Sequence, residues 1–140
     1  MAVDTYFAKK VIPSLKKAIK EVEPMLHDLR DNFGLKDDIY YNLLISLTEA
    51  VNNAIIHGNK CDPDKNVTIE IHSDGTLYQL IISDEGDGFN PDAVADPRNP
   101  ENILKSNGRG IFLIKALSTE SSFVHSSEGT TVTIQFKCKN

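Results

Sequence analysis

Residues 48–59 read TEAVNNAIIHGN and set a carboxylate, Glu49, two carboxamides, Asn52 and Asn53, and an imidazole, His57, into an otherwise apolar stretch. On a helix, positions four apart point within about 40° of each other, so Glu49 and Asn53 share a face one turn apart. Leu47, Val51, Ala54 and Ile55 lean the other way, toward a core. One polar side chain is a base and the other a neutral oxygen donor. The helix alone also fits a plainer account, a polar face turned to water.

Three further stretches bear on the choice. In SDEGDGF, residues 83–89, Asp84 sits where a strand stops, and Gly86 and Gly88 let the backbone turn sharply and come close to a ligand. In NGRGIFLIKAL, residues 107–117, a glycine-rich loop runs into an apolar helix. A helix start at Gly108 and Gly110 offers unpaired amides and partial positive charge, which suit phosphate oxygens. The GxxxxGK[ST] pattern of a P-loop is absent. In EGTTVTIQF, Gly129 and Thr130 open a terminal strand. Each stretch by itself also reads as an ordinary turn.

The elements that must position these residues follow from periodicity. DTYFAKKVIPS reads as extended, and from Leu15 to Phe33 the apolar residues fall at helical spacing, interrupted by Pro24. Either that helix kinks at Pro24 or a second one begins there with proline in its first turn. Gly34 ends the segment, and a second helix runs from a cap at Asp37 or Asp38 to Gly58. NKCDPDKN is a loop. VTIEIH and TLYQLIISD alternate as strands around an Asp74-Gly75 hairpin turn. After a long loop from Gly86 to about Asn107 come a helix, GIFLIKALS, and two strands, SSFVHSS and TTVTIQFKC, joined at Gly129. Helices with antiparallel hairpins and no βαβ rhythm predict an α+β fold, a two-layer sandwich with a mostly antiparallel sheet covered by helices on one face.

At 140 residues, and with no repeat or linker, the chain reads as one domain, residues 1–140. Hydrophobic content of 40% with 25% charged residues is that of a soluble globular protein, and no apolar run approaches the roughly 18 residues of a membrane span. The first residues lack the apolar core of a secretory signal, so the expected location is the cytoplasm. A net charge of −5 opposes general binding to nucleic acid. Cys61 and Cys138 form no metal-site spacing and are expected as free thiols.

In their order, these four motifs resemble the ATP-binding domain shared by gyrase, histidine kinases and MutL, the GHKL or Bergerat fold, over roughly residues 35–137. EAVNNAIIHGN and GRGIFLIKAL look most like the anti-sigma-factor serine/threonine kinases of the RsbW and SpoIIAB type. The resemblance implies ATP and Mg²⁺ as cofactors, Glu49 as general base toward the attacking hydroxyl, and Asn53 as the metal ligand. It implies that Asp84 accepts a hydrogen bond from the adenine amino group. Gly86, Gly88, Gly108 and Gly110 would shape the adenine pocket and phosphate lid, with Arg109 among the nucleotide-binding residues and Thr130 near the adenine. Lys105, Ser106 and Asn107 precede Gly108 where some such kinases carry an arginine, so the cation that meets the γ-phosphate is left open. Implied partners are an anti-sigma-factor antagonist, a sigma factor and a second copy of the chain, with no nucleic acid and no membrane.

Two other functions compete. One is a non-catalytic nucleotide-binding regulatory module, for which Glu49 would be superfluous. The other is a histidine-kinase-like protein, suggested by HDLRDNF from His27, although the 21 residues between His27 and Glu49 leave no room for a dimerisation helix and linker. Asn52 is expected to pack or cap. His57 has a structural or helix-dipole role at least as readily as a phosphate contact.

Overall fold

The computed structural model describes residues 5–86 and 106–137, with side chains in the second segment from residue 110 onward. Five strands, β1 (Tyr6–Pro13), β2 (Asn66–Ser73), β3 (Leu77–Ser83), β4 (Glu120–Ser126) and β5 (Gly129–Lys137), form one antiparallel sheet in the order β1-β2-β3-β5-β4. Three helices, α1 (Glu23–Phe33), α2 (Asp37–Asn53) and α3 (Ser106–Leu117), make the second layer. This is the two-layer α+β sandwich that the periodicity predicts.

Strand alternation sets the register. Val67, Ile69 and Ile71 of β2 face the helices together with Tyr78, Leu80 and Ile82 of β3 and Val132, Ile134 and Phe136 of β5. Ile71 lies opposite Leu80, and Leu80 opposite Ile134, so one-residue slippage would turn these chains to water. The helical layer answers with Leu26 and Leu29 of α1, Leu43, Leu47 and Val51 of α2, and Ile114 of α3, all buried. Each such side chain contributes roughly 1.5–3 kcal/mol by leaving water. Among the described residues no helix covers the other sheet face, where Phe7, Val11 and Val124 are exposed.

At Pro24 the second of the two alternatives holds. A 3-10 turn, Lys16–Glu21, precedes α1, and Pro24 lies in the first turn of α1, where its missing amide costs nothing. Gly34 closes α1 in the left-handed region, φ 61°, with its amide on the Arg30 carbonyl. The cap of α2 is Lys36 rather than Asp37 or Asp38. Both aspartates fall in the first turn, where they offset the helix dipole, and Asp37 is drawn aside by Arg30 of α1.

Candidate functional site

Helix α2 carries Glu49 and Asn53 on the face that meets α3. The closeness is measured at Gly110, where a Cβ would stand 2.8 Å from Glu49 Oε2 and 3.2 Å from Asn53 Nδ2. Glycine at this point lets the backbone of α3 come down onto both polar groups. Asn53 is buried, and its Nδ2 has no hydrogen-bond partner among the described residues. A buried N–H without a partner costs free energy, which marks Nδ2 as a donor open to a group beyond the described residues. Glu49 is half-buried beside it.

Beyond Asn53 the helix widens into one π turn, Ala54–Gly58, closed by the Asn59 amide on the Ala54 carbonyl at 2.8 Å. Such widenings often mark functional positions. Here the turn delivers Gly58 against Asp84. A Cβ on Gly58 would overlap the Asp84 carboxylate, one on Gly86 would overlap the Gly58 carbonyl, and one on Gly129 would overlap the Asp84 carbonyl. Three backbone segments therefore close around one side chain.

Asp84 is 8% exposed. Its Oδ1 accepts from the amides of Gly86 and Thr130, both at 3.0 Å, and its own amide donates to the Thr130 carbonyl at 3.0 Å. Burial pushes the carboxyl above its usual range, against the lowering effect of those two amides and of Lys65. With Oδ1 engaged twice, Oδ2 is the oxygen left to meet a ligand donor. Burial also holds His57 below its ordinary value, which keeps the imidazole neutral.

The site predicted from sequence divides accordingly. Glu49, Asn53 and Gly110 come together at one end, and Asp84, Gly86 and Thr130 at the other, with the Ala54–Gly58 turn between them. Gly108 and Arg109 lie within α3, which starts at Ser106, so Gly108 is in its first turn and Gly110 beyond it rather than in a loop before the helix. Gly88, Lys105 and most of the expected lid between Gly86 and Asn107 fall outside the described residues, as does Cys138. Cys61 is an exposed free thiol. His27 is exposed on α1, its ring edge-on to Tyr40 and its Nε2 3.3 Å from Glu23.

Sequence reasoning missed Asn59, Ser14 and Glu85. Asn59 is buried, and its carboxamide bonds to the Ser14 hydroxyl, the Asn66 carbonyl and the Glu85 amide. Among the described residues no cluster of three or more His, Cys, Asp or Glu side chains could hold an ion unaided. Mg²⁺ keeps several waters and binds through one or two protein oxygens plus substrate phosphates, and Oδ1 of Asn53 is an oxygen of that kind. No described helix is long and apolar enough to cross a membrane.

A carboxylate and a carboxamide thus meet under a glycine-bearing helix, and a buried aspartate is pinned by two amides. The chain belongs to the histidine kinase-like ATPase domain family, which it matches over residues 12–136. It is similar to the serine-protein kinase RsbW of Bacillus subtilis, 26% identical over 127 residues that cover 86% of this chain and 79% of that protein. It is also similar to the anti-sigma F factor of Bacillus cytotoxicus, 35% identical over 91 residues, 61% of each chain. Among solved structures, the RsbU and RsbW domains of Rv1364c from Mycobacterium tuberculosis share the fold. The TM-score is 0.65 at 18% identity, over 94% of this chain and 32% of that one. A blue-light-activated histidine kinase from Erythrobacter litoralis shares it with a TM-score of 0.56 at 15% identity, over 90% of this chain and 61% of that one. The resemblance drawn from the four motifs is thereby borne out.

Proposed function

We propose that the chain is an ATP-dependent protein serine/threonine kinase of the anti-sigma-factor type. It phosphorylates a hydroxyl on an antagonist protein and, in another state, binds a sigma factor. The observation that carries this reading is the meeting of Glu49 and Asn53 beneath Gly110. A module that only bound nucleotide would have no use for a carboxylate there. The names of the relatives support the same activity.

Each residue then has a task. Asp84 Oδ2 accepts from the adenine amino group, with Thr130 beside it, while Gly86 and Gly88 shape the base pocket. Gly108, Arg109 and Gly110 flank the phosphates at the start of α3, where helix amides favour anions. Asn53 Oδ1 would hold Mg²⁺, which when bound would neutralise charge on the phosphates. Glu49 accepts the proton of the serine or threonine hydroxyl as its oxygen bonds to the γ-phosphorus. The bond from that phosphorus to the bridging oxygen breaks, and ADP leaves with the electron pair. Residues 1–140 act as one domain, as a homodimer in the cytoplasm.

The test is incubation with Mg-ATP and a candidate antagonist, followed by mass spectrometry of the antagonist. Phosphate on one serine or threonine is expected. Nucleotide bound with no transfer to any candidate would favour the binding module instead.

A further inference from the structure

Asn59 is only 1% exposed, and its carboxamide reaches three segments distant in sequence. Nδ2 donates to Ser14 Oγ at 2.7 Å, just beyond β1, and to the Asn66 carbonyl at 3.0 Å, where β2 begins. Oδ1 accepts from the amide of Glu85 at 2.8 Å, one peptide unit from Asp84. These partners fix which way the amide points, because a flip would set NH₂ against an N–H and oxygen against a carbonyl. The frame extends further. Ser14 Oγ donates to the Lys65 carbonyl at 2.6 Å, and the Glu85 carboxylate accepts from the amide of Asn66.

We propose that Asn59 is a positioning residue for base recognition. It anchors the Asp84–Gly86 turn to the end of the motif helix before any nucleotide arrives, and so fixes the direction in which Asp84 Oδ2 points. The inference rests on the nucleotide reading above. Its physical ground is that the two amides on Oδ1 belong to Gly86 and Thr130, one of which lies inside the turn itself. The Gly86 amide orients the carboxylate within its turn, and the Thr130 amide ties it to β5. The bond from Asn59 to Glu85 ties that turn to the helix that carries Glu49 and Asn53.

A bond that served stability alone would behave otherwise, and Ser14 provides the comparison. Ser14→Ala removes one acceptor of the same carboxamide but leaves the bond to Glu85. Dissociation constants for ADP and for inosine diphosphate, which carries an oxo group in place of the amino group, are measured on wild type, Asn59→Ala and Ser14→Ala beside thermal melts. We expect both variants to melt lower. Asn59→Ala should lose roughly tenfold in ADP affinity and most of its preference for ADP over inosine diphosphate. Ser14→Ala should keep that preference. Equal preference in all three proteins, or equal loss in both variants, overturns the role of Asn59. Wild type that fails to bind ADP overturns the nucleotide reading, and this proposal with it. Should Asn59→Ala not fold, amide hydrogen exchange on wild type decides. Slow exchange at Glu85 in the nucleotide-free protein is expected, and fast exchange there that slows only with ADP overturns the anchor.

Discussion

The α-carbon of Gly58 lies so close to the carboxylate of Asp84 that a methyl group at residue 58 would overlap Oδ2 and Cγ. The obstacle is a side chain held by two amides, so it has little freedom to step aside. Gly58→Ala should therefore rotate the carboxylate out of place, costing about 1–3 kcal/mol of stability as an overpacking change. ADP affinity should fall at least tenfold by calorimetry. Unchanged affinity would remove the Asp84 carboxylate from the base pocket.

Asp84→Asn should separate binding from stability. Because the folded carboxyl titrates above its ordinary 3.8, its contribution to stability is fully present below that value and is lost as pH rises through the folded pKa. At neutral pH the ionised group is a burden that the amide lacks. The variant should thus melt higher relative to wild type at pH 7 than at pH 3.5, while ADP and ATP binding are abolished. Melts at the two pH values and one calorimetric titration check both halves.

Asn53→Ala should weaken binding of ATP with Mg²⁺ much more than binding of ADP in EDTA. Asn53 Nδ2 has no hydrogen-bond partner among the described residues to lose. Equal losses under both conditions would mean a folding defect.

Gly110→Ala and Glu49→Gln should converge on one phenotype. Alanine is worth up to about 1 kcal/mol over glycine inside a helix, and the atom it crowds most is Glu49 Oε2, the free end of a flexible chain. The helix should tolerate alanine while Glu49 is pushed aside. Glu49→Gln keeps size but removes the base, a loss on the order of 10²–10⁴ in rate. Both variants should bind ADP and transfer phosphate slowly in a single-turnover assay. Transfer by Glu49→Gln at the wild-type rate would end the general-base assignment.

Stability near pH 6 should carry the mark of His57. Its folded pKa lies below the ordinary 6.5, so the unfolded chain binds more protons in the window just under that value. Stability conferred by the neutral ring is lost as pH falls from about 6.5 through the folded pKa. His57→Gln should flatten the melting-temperature profile there, and an unchanged slope would assign the effect to another group.

What could be read from the sequence was what repeats along the chain. Alternation in VTIEIH and TLYQLIIS fixes which residues face the helices, and four-residue spacing unites Glu49 with Asn53. Features made by contact across the fold were not legible. The π turn exists where Gly58 meets Asp84, and nothing in AIIHG signals the extra residue. The α2 cap falls at Lys36, and Arg30, seven residues back on another helix, holds Asp37. Asn59 follows a glycine at a helix end, which reads as loop, yet its partners lie 45, 7 and 26 residues away.

Asp84 is held at Oδ1 by backbone N–H groups, and these are supplied by every residue except proline. Replacing the side chain of Glu85 by any residue except proline leaves in place the amide from which Asn59 Oδ1 accepts. A saturation scan of this region should therefore be sharply two-toned. Positions 58, 86 and 129 should accept glycine alone, whereas the exposed position 85 should admit varied residues other than proline with ADP binding retained. Selection of active clones from such a library would leave invariant points defined by missing atoms, surrounded by sequence free to drift.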